Sequence, residues 1–541
     1  MNKLYYGDCL TIMQQMRKGS VDLVYLDPPF NSNRDYNAIY KDETGRPLPD
    51  QIEAFGDLWK LDDDRLRAIQ MMPVLMREAG IEDHVAELWR IWMNALRNTN
   101  PQLLAYLSYM TERLLVLRGL IKPTGSVYLH CDPNASHYIK VMMDGIFGHD
   151  NFRNEIIWQR STGKSLMTKR LPNSHDVILA YQASDKATWN NDAVFTPYDH
   201  SDLPEKTADK YKFKESDGRV YRLDSLINPN PNRPKLTYEF LGVTRVWRWT
   251  KERMQEAHGK GLIVQTRPGT VPQLKRYLDE QRGIPLGDVW IDIPPLNSQA
   301  KERLGYSTQK PVTLLKRIIE TSSNEGDVVL DPFCGCASTI EAAHLLNRRW
   351  IGIDIAIHAI KRVAKVRLED RLGLKEGRDF TIEGVPHSME GALDLWERDK
   401  HHFQKWAIEQ IDGFVTSRKT ADGGIDGRLY FSLPNDAHLK SMVLEVKGGR
   451  NVGISVVRDL RGALARDGAL MAGLIIMHDL GDRKTLNFKK EMAEAGDMDV
   501  LGVRYPRMQL LTVEEILNGK RFLTPSVARG RGQAQPRLPL G

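Results

Sequence analysis

Apolar positions along the chain recur in two rhythms. Short runs of strand length, rich in β-branched and aromatic residues, fall at 3–6, 21–26, 126–130, 155–158, 326–330 and 349–354. Between them apolar residues recur at helical spacing: Leu10, Met13 and Met16, then Leu88, Trp92, Leu96, Leu103, Leu107, Met110, Leu114 and Leu117, with Pro101 dividing this long run into two helices. Further helices are expected at 134–146, 312–320 and 340–346. This alternation predicts an α/β fold with a largely parallel sheet. The strands 3–6 and 21–26, joined by one helix, are expected to be parallel neighbours, with Asp8 and Asp27 at one sheet edge. Residues 31–64 read as a polar loop, mobile until substrate orders it.

From 183 to 287 the rhythm is lost. Proline clusters appear, and basic residues interleave with aromatics, as in Tyr211-Lys-Phe-Lys214, Tyr221-Arg222, Arg245-Val-Trp-Arg-Trp249 and Arg276-Tyr277. Such side chains neutralise phosphate and stack on bases, although aromatics of this kind also fill the core of an ordinary inserted subdomain. The sheet pattern stops after Arg371, and 376–397 reads as a connector. An amphipathic helix (402–411), strands at 427 onward, 442–447 and 470–477, and helices at 458–465 and 489–495 then suggest a second α/β region. The tail from Ala528, rich in Arg, Gly, Gln and Pro, reads as disordered.

Composition adds bounds. A chain of 541 residues is too long for one ordinary domain. Its formal charge of +6 permits nucleic-acid binding without arguing for it. The four cysteines, Cys9, Cys131, Cys334 and Cys336, make no metal framework, and reduced thiols in a cytoplasmic protein are expected. No apolar run approaches membrane-spanning length, and the start lacks the pattern of a signal peptide.

The chemistry concentrates at strand ends. The strand 21–26 runs into Asp27-Pro28-Pro29-Phe30, where two prolines end the ladder and hold a carboxylate, carbonyls and an aromatic ring stiffly at its carboxyl end. Ligands of open α/β sheets bind at that edge. The set suits a planar substrate bearing an amino group, such as a flipped nucleobase. Downstream, the strand 326–330 enters the small-residue loop Asp331-Pro-Phe-Cys-Gly335, and the next strand ends in Asp354, placed to take the ribose hydroxyls of a nucleoside. Neither G-x-G-x-x-G nor a P-loop lysine is present. His130, Cys131 and Asp132 tempt a metal assignment, but satisfied polar groups at strand ends are far commoner.

Asp27-Pro-Pro-Phe30 with Asp331-Pro-Phe-Cys-Gly335 resembles the amino-methylating DNA methyltransferases of the permuted β class, in which the catalytic strand precedes the cofactor strand. Thr308-Gln-Lys-Pro311 and Gly7-Asp8 resemble the class's neighbouring motifs, and the likeness spans about residues 1–375. It implies a Rossmann-like, seven-stranded S-adenosylmethionine-dependent methyltransferase sheet. By that resemblance Asp27 and the Pro28 carbonyl, stiffened by Pro29, accept hydrogen bonds from the target amine, and Phe30 stacks on the base. Phe333 and Gly335 in the loop opened by Asp331, Asp354 at the ribose, Asp8 at the adenine, and Thr308 and Lys310 would contact the cofactor. Ala337-Ser338 stands where the family often has Gly-Thr. Asp before Pro-Pro favours adenine N6 over cytosine N4.

In the C-terminal region, Gly423-Gly-Ile-Asp-Gly427 and Glu445-Val-Lys447 resemble an Mrr-type endonuclease domain of the PD-(D/E)XK class. The resemblance implies that Asp426 and Glu445 hold Mg²⁺ while Lys447 steadies an attacking water. Glu409 is read as an assistant from its helix or as a solvated charge. The expected organisation is then 1–182, methyltransferase catalytic half; 183–290, target recognition; 291–375, cofactor half; 376–397, connector; 398–520, endonuclease-like domain; 521–541, tail. The implied function is methylation of double-stranded DNA, with restriction in the same chain. Alternatives are cytosine N4 methylation, a C-terminal domain that only binds DNA, and, less favoured, methylation of RNA or protein. No membrane partner is expected, and a homodimer is left open.

Overall fold

The computed structural model describes residues 2–29, 61–161, 171–198, 203, 205–296, 300, 302, 309–357, 359–416, 425–433 and 439–525. They form two compact units, one of Asn190–Gly287 and one of Met1–Trp189 with Asp288–Gly541.

The larger unit carries a nine-stranded sheet. Its strands are β1 (Asn2–Tyr6), β2 (Val21–Leu26), β3 (Ile121–Cys131), β4 (Phe152–Gln159), β5 (His175–Gln182), β6 (Val289–Trp290), β7 (Val328–Asp331), β8 (Arg349–Asp354) and β9 (Phe380–Glu383). The spatial order is β6-β4-β5-β3-β2-β7-β8-β1-β9. Only β5 runs against its neighbours, β3 and β4. All of β2 is buried, and its alternation serves two cores. Val24 and Leu26 join one face with Met72, Trp89 and Leu107, while Leu23 and Tyr25 join the other with Leu315, Ile318 and Ile340. The first face is covered by α1 (Cys9–Gln15), α2 (Asp63–Glu78), α3 (Asp83–Thr99), α4 (Pro101–Leu120) and α5 (Pro133–Phe147); the second by α6 (Val312–Ser322) and α7 (Ser338–Leu345). Pro101 begins α4, and the Asn100 side chain accepts from Leu103 N.

Three expectations are corrected. β1 and β2 are not neighbours, because β7 and β8 lie between them; these two buried strands need a partner on each side, and the chain's later half supplies them. The sheet has nine strands where the resemblance implied seven. The presumed connector contributes β9, which pairs with β1 and buries Phe380 against Trp350, ring centroids 6.0 Å apart. The helix α2, with Pro73 inside it, was not anticipated.

Beyond β9 come α8 (Met389–Arg398) and α9 (Lys400–Gln410). A five-stranded sheet follows in the order β10 (Phe414–Val415), β11 (Gly427–Phe431), β12 (Lys440–Lys447), β13 (Met471–Ile476) and β14 (Met508–Thr512). Its last three strands are parallel. Phe403 and Trp406 of α9 pack with Leu444 and Ile475 on one face. On the other, α10 (Ser455–Asp467) and α11 (Asp482–Ala493) pack Leu460 and Phe488 against Val443 and Leu474. The tail from Ala528 and the loop 31–60 lie outside the described residues. No helix among the described residues is long and apolar enough to cross a membrane.

The smaller unit has a four-stranded antiparallel sheet, including Val220–Ser225 and Gln273–Tyr277, and the helix Lys251–Gly259. Its core takes Phe240, Trp247 and Met254. Trp247 is therefore a packing residue, while its neighbours Arg245 and Arg248 are exposed, as are Lys212, Lys214 and Arg276.

Candidate active site

The parallel strands β2, β7, β8 and β1 bring Asp27, Asp331, Asp354 and the Gly7-Asp8 turn to one carboxyl edge. β2 and β7 pair directly, Val329 against Leu23 and Leu330 against Val24, so the turn after β7 opens beside Asp27. Lys310, just before α6, donates to both oxygens of Asp27 at 2.7 and 2.6 Å. The pair is largely buried, with side chains 10% and 16% exposed. Lys310, read from sequence as a cofactor ligand, thus meets the proposed catalytic acid. Phe30 and Thr308 lie outside the described residues.

Behind Asp27 runs a buried polar relay. The Tyr25 hydroxyl meets His130 Nδ1 at 2.8 Å, and His130 Nε2 meets Asp176 at 3.2 Å. Arg160 pairs with Asp176 at 3.0 Å. Burial, with the Lys310 charge, holds the imidazole below its ordinary value. Asp132 caps α5 by accepting from Ala135 N at 3.0 Å. His130 and Asp132 are thus a satisfied core histidine and a helix cap.

The loop after β7 is held by its own acids. Asp331 accepts from Phe333 N at 3.0 Å, and burial pushes its carboxyl up to about 7. Gly335 has φ +47° and donates to Asp354 Oδ2 at 2.9 Å; Asp354 Oδ1 accepts from Ala356 N at 2.7 Å. Ala337 occupies the left-handed region at φ +61° and begins α7 with no side-chain cap. The first N–H groups of that helix therefore face the edge without a side-chain acceptor.

Asp8 caps α1, accepting from Leu10 N and Thr11 N at 2.9 and 3.2 Å. Its other oxygen takes the buried Arg113 at 2.7 Å. The Arg113 guanidinium lies 3.4 Å over the Tyr109 ring, which neighbours Phe333 at 6.3 Å. Sequence reasoning missed Arg113. A cation in the middle of the apolar run of α4 was the available signal, since a charge is rarely buried there without a partner.

A model of the N6/N4 DNA methylase family matches residues 21–365. The chain belongs to this family. It is similar to the type II methyltransferase M.EcaI of Enterobacter cloacae, 30% identical over 55% of this chain and 65% of that protein. It also resembles the type III StyLTI Mod subunit of Salmonella typhimurium, 26% identical over 64% of this chain and 50% of that one. The chain therefore spans between half and just under two thirds of these relatives' lengths. Among solved structures, the PvuII DNA methyltransferase aligns at 13% identity over 74% of this chain and 92% of its own, with a TM-score of 0.31.

Outside the matched span, the chain has a second acidic edge. Lys447 and Glu445 lie on one side of β12 and meet at 2.8 Å. Asp426, just before β11, accepts from Val446 N at 2.7 Å. Burial pushes the Glu445 carboxyl up, against the pull of Lys447, and the Asp459 charge of α10 faces the same pair. Glu445 Oε2 is buried without a hydrogen-bond partner among the described residues. No group of three or more His, Cys, Asp or Glu among the described residues is arranged to hold a metal. Glu409 is not part of this edge: it is buried and accepts from Ile357 N, after β8, at 3.2 Å.

Proposed function

We propose that this methylase transfers a methyl group from S-adenosylmethionine to an exocyclic amine, adenine N6, of a base in double-stranded DNA. The observation that carries the reading is the pairing of β2 with β7, which sets Asp27 beside the 331–335 loop at one edge. The donor set fits a nucleoside cofactor: an uncapped helix start, an acid on the next strand and the apolar Phe333 beside them. The bound cofactor would supply an electrophilic methyl on a sulfonium.

The chain's own residues do the rest. An exocyclic amine is a poor nucleophile because its lone pair is delocalised into the ring. Asp27 accepts one of its N–H bonds and turns that lone pair toward the methyl carbon. As the new C–N bond forms, the carbon–sulfur pair stays with sulfur, and the amine's surplus proton leaves through the acceptor side. Lys310 does not block this, because a carboxylate has about four acceptor positions and a lysine can share them with an amine. Buried beside the acid, Lys310 keeps Asp27 oriented for that role. Sequencing modified bases in DNA from cells expressing the protein tests the reading; unmodified DNA rejects it, and modified cytosine moves the target to N4.

The C-terminal edge carries a second reading, metal-dependent DNA cleavage. Glu445 Oε2, without a hydrogen-bond partner among the described residues and beside Asp426 and Lys447, supports it, since Mg²⁺ is commonly held by one or two carboxylates with waters completing the shell. A domain that only binds DNA is the competing reading. Incubation of unmodified DNA with the protein and Mg²⁺ separates them, because a binding module leaves the DNA intact.

A further inference from the structure

We infer that α9, which lies outside the span matched by the methylase family, completes the cofactor side of the methylase edge, with Glu409 as a positioning residue for the Asp354 loop. The inference rests on reading that edge as the cofactor site. Two consecutive amides after β8 are fixed by two carboxylates from different parts of the chain. Asp354 Oδ1 holds Ala356 N at 2.7 Å, and Glu409 Oε2 holds Ile357 N at 3.2 Å. Asp354 Oδ2 holds Gly335 N in the opposite loop, and the Asp354 carbonyl accepts from Gly7 N at 3.0 Å. Glu409 therefore anchors one end of a hydrogen-bonded chain that runs through Asp354 to the 331–335 loop and the Gly7-Asp8 turn.

The rest of α9 follows the same seam. The His402 ring lies 4.7 Å from Tyr6, which stands opposite Asp354 in the β1–β8 register. A side chain on Gly7 would lie 3.5 Å from His402 Cε1. The Lys405 charge bears on both Asp354 and Glu409, offsetting the burial that pushes each carboxyl up. The groups facing Glu409 are thus Tyr6 from β1, Asp354 from β8 and Lys405 from its own helix. Along α9, His402 Nε2, Trp406 Nε1 and Gln410 Nε2 are buried with no hydrogen-bond partner among the described residues. A seam pinned at Glu409 is a place where the C-terminal region and the cofactor loop affect one another.

The test uses the full chain, with methyl transfer to unmethylated DNA and calorimetric binding of S-adenosylmethionine. Glu409→Ala leaves Ile357 N unpaired, so the KM for S-adenosylmethionine is expected to rise about tenfold. At saturating cofactor, kcat stays within about twofold and the KM for DNA is unchanged. Glu409→Gln, which keeps an acceptor of the same size, restores the wild-type KM. A folded Glu409→Ala protein with unchanged cofactor KM, or a loss that Gln does not restore, overturns the inference. Should the Ala variant not fold, Lys405→Met decides, since it removes the charge facing Asp354 and breaks no amide bond; an unchanged cofactor KM there overturns the inference. A wild-type protein that binds no S-adenosylmethionine rejects the methylase reading itself, whereas normal wild-type binding with indifferent variants rejects only the role of α9.

Discussion

Two of the molecule's carboxylate–lysine pairs, Asp27 with Lys310 at one sheet edge and Glu445 with Lys447 at another, are built differently. Asp27 and Lys310 are 283 residues apart in sequence and meet only because β2, β7 and α6 pack together. Both oxygens of Asp27 are engaged. Glu445 and Lys447 are two residues apart on one strand, so their meeting follows from strand geometry alone. There the lysine is 39% exposed, and one Glu445 oxygen has no hydrogen-bond partner among the described residues. A long-range buried pair reports on the whole fold. A pair made within one strand reports on little beyond that strand, so it needs functional evidence of its own.

Separate activities are the sharpest way to break this comparison. On the proposed readings of the two edges, methyl transfer at one and cleavage at the other, Asp27→Asn is expected to lower methyl transfer on the order of a thousandfold while leaving any Mg²⁺-dependent cleavage unchanged; a tritiated-methyl assay run beside a plasmid-nicking assay measures both. Lys447→Ala is expected to give the reciprocal result, with cleavage down about a hundredfold and methyl transfer within twofold of wild type. If either substitution removes both activities, the two edges are one functional unit and the comparison fails.

Stability sharpens it further. Lys310→Met leaves Asp27 buried without its cation, which costs about 3 kcal/mol. Lys447→Met removes a half-exposed cation from a carboxyl that burial already pushes up and that can take a proton in its place, so it costs about 1 kcal/mol. Urea unfolding of the two variants under one buffer gives the difference directly, and equal losses would mean that the exposure of Lys447 does not set the strength of its pair.

The strand 21–26, Asp27, the 331–335 loop and Asp354 were legible in the sequence because β-branched runs and prolines act locally. The Glu445-Val-Lys447 spacing was legible for the same reason. What stayed hidden was pairing. Nothing local in Asn2–Tyr6 says that it joins β8 and β9, some 350 residues on, in place of β2. Nor does Lys310 signal Asp27, or Arg113 signal Asp8, since a buried cation shows that it needs a partner without naming one. Glu409 was misplaced on the same ground: its helix period shows a buried face, and only the structure shows that the methylase loop covers it. α2 escaped because Pro73 interrupts a pattern otherwise capped at Asp62.

A pH slope separates the buried acids of the two edges. Burial pushes Asp331 from its ordinary 3.8 up to about 7. Between those values the folded protein holds a proton that the unfolded chain releases, so this group's contribution to stability is full below about pH 4 and is lost as pH rises toward 7. Asp331→Asn carries no such proton. Its stability relative to wild type should therefore improve as pH rises through that window, read as the difference in thermal midpoint between the two proteins. Glu445 is also pushed up by burial, but Lys447 pulls it back, so Glu445→Gln should give a slope of the same sign and smaller size. A larger slope at Glu445 than at Asp331 would mean that the lysine two residues away does not hold that carboxylate, and that the C-terminal pair is looser than its 2.8 Å contact indicates.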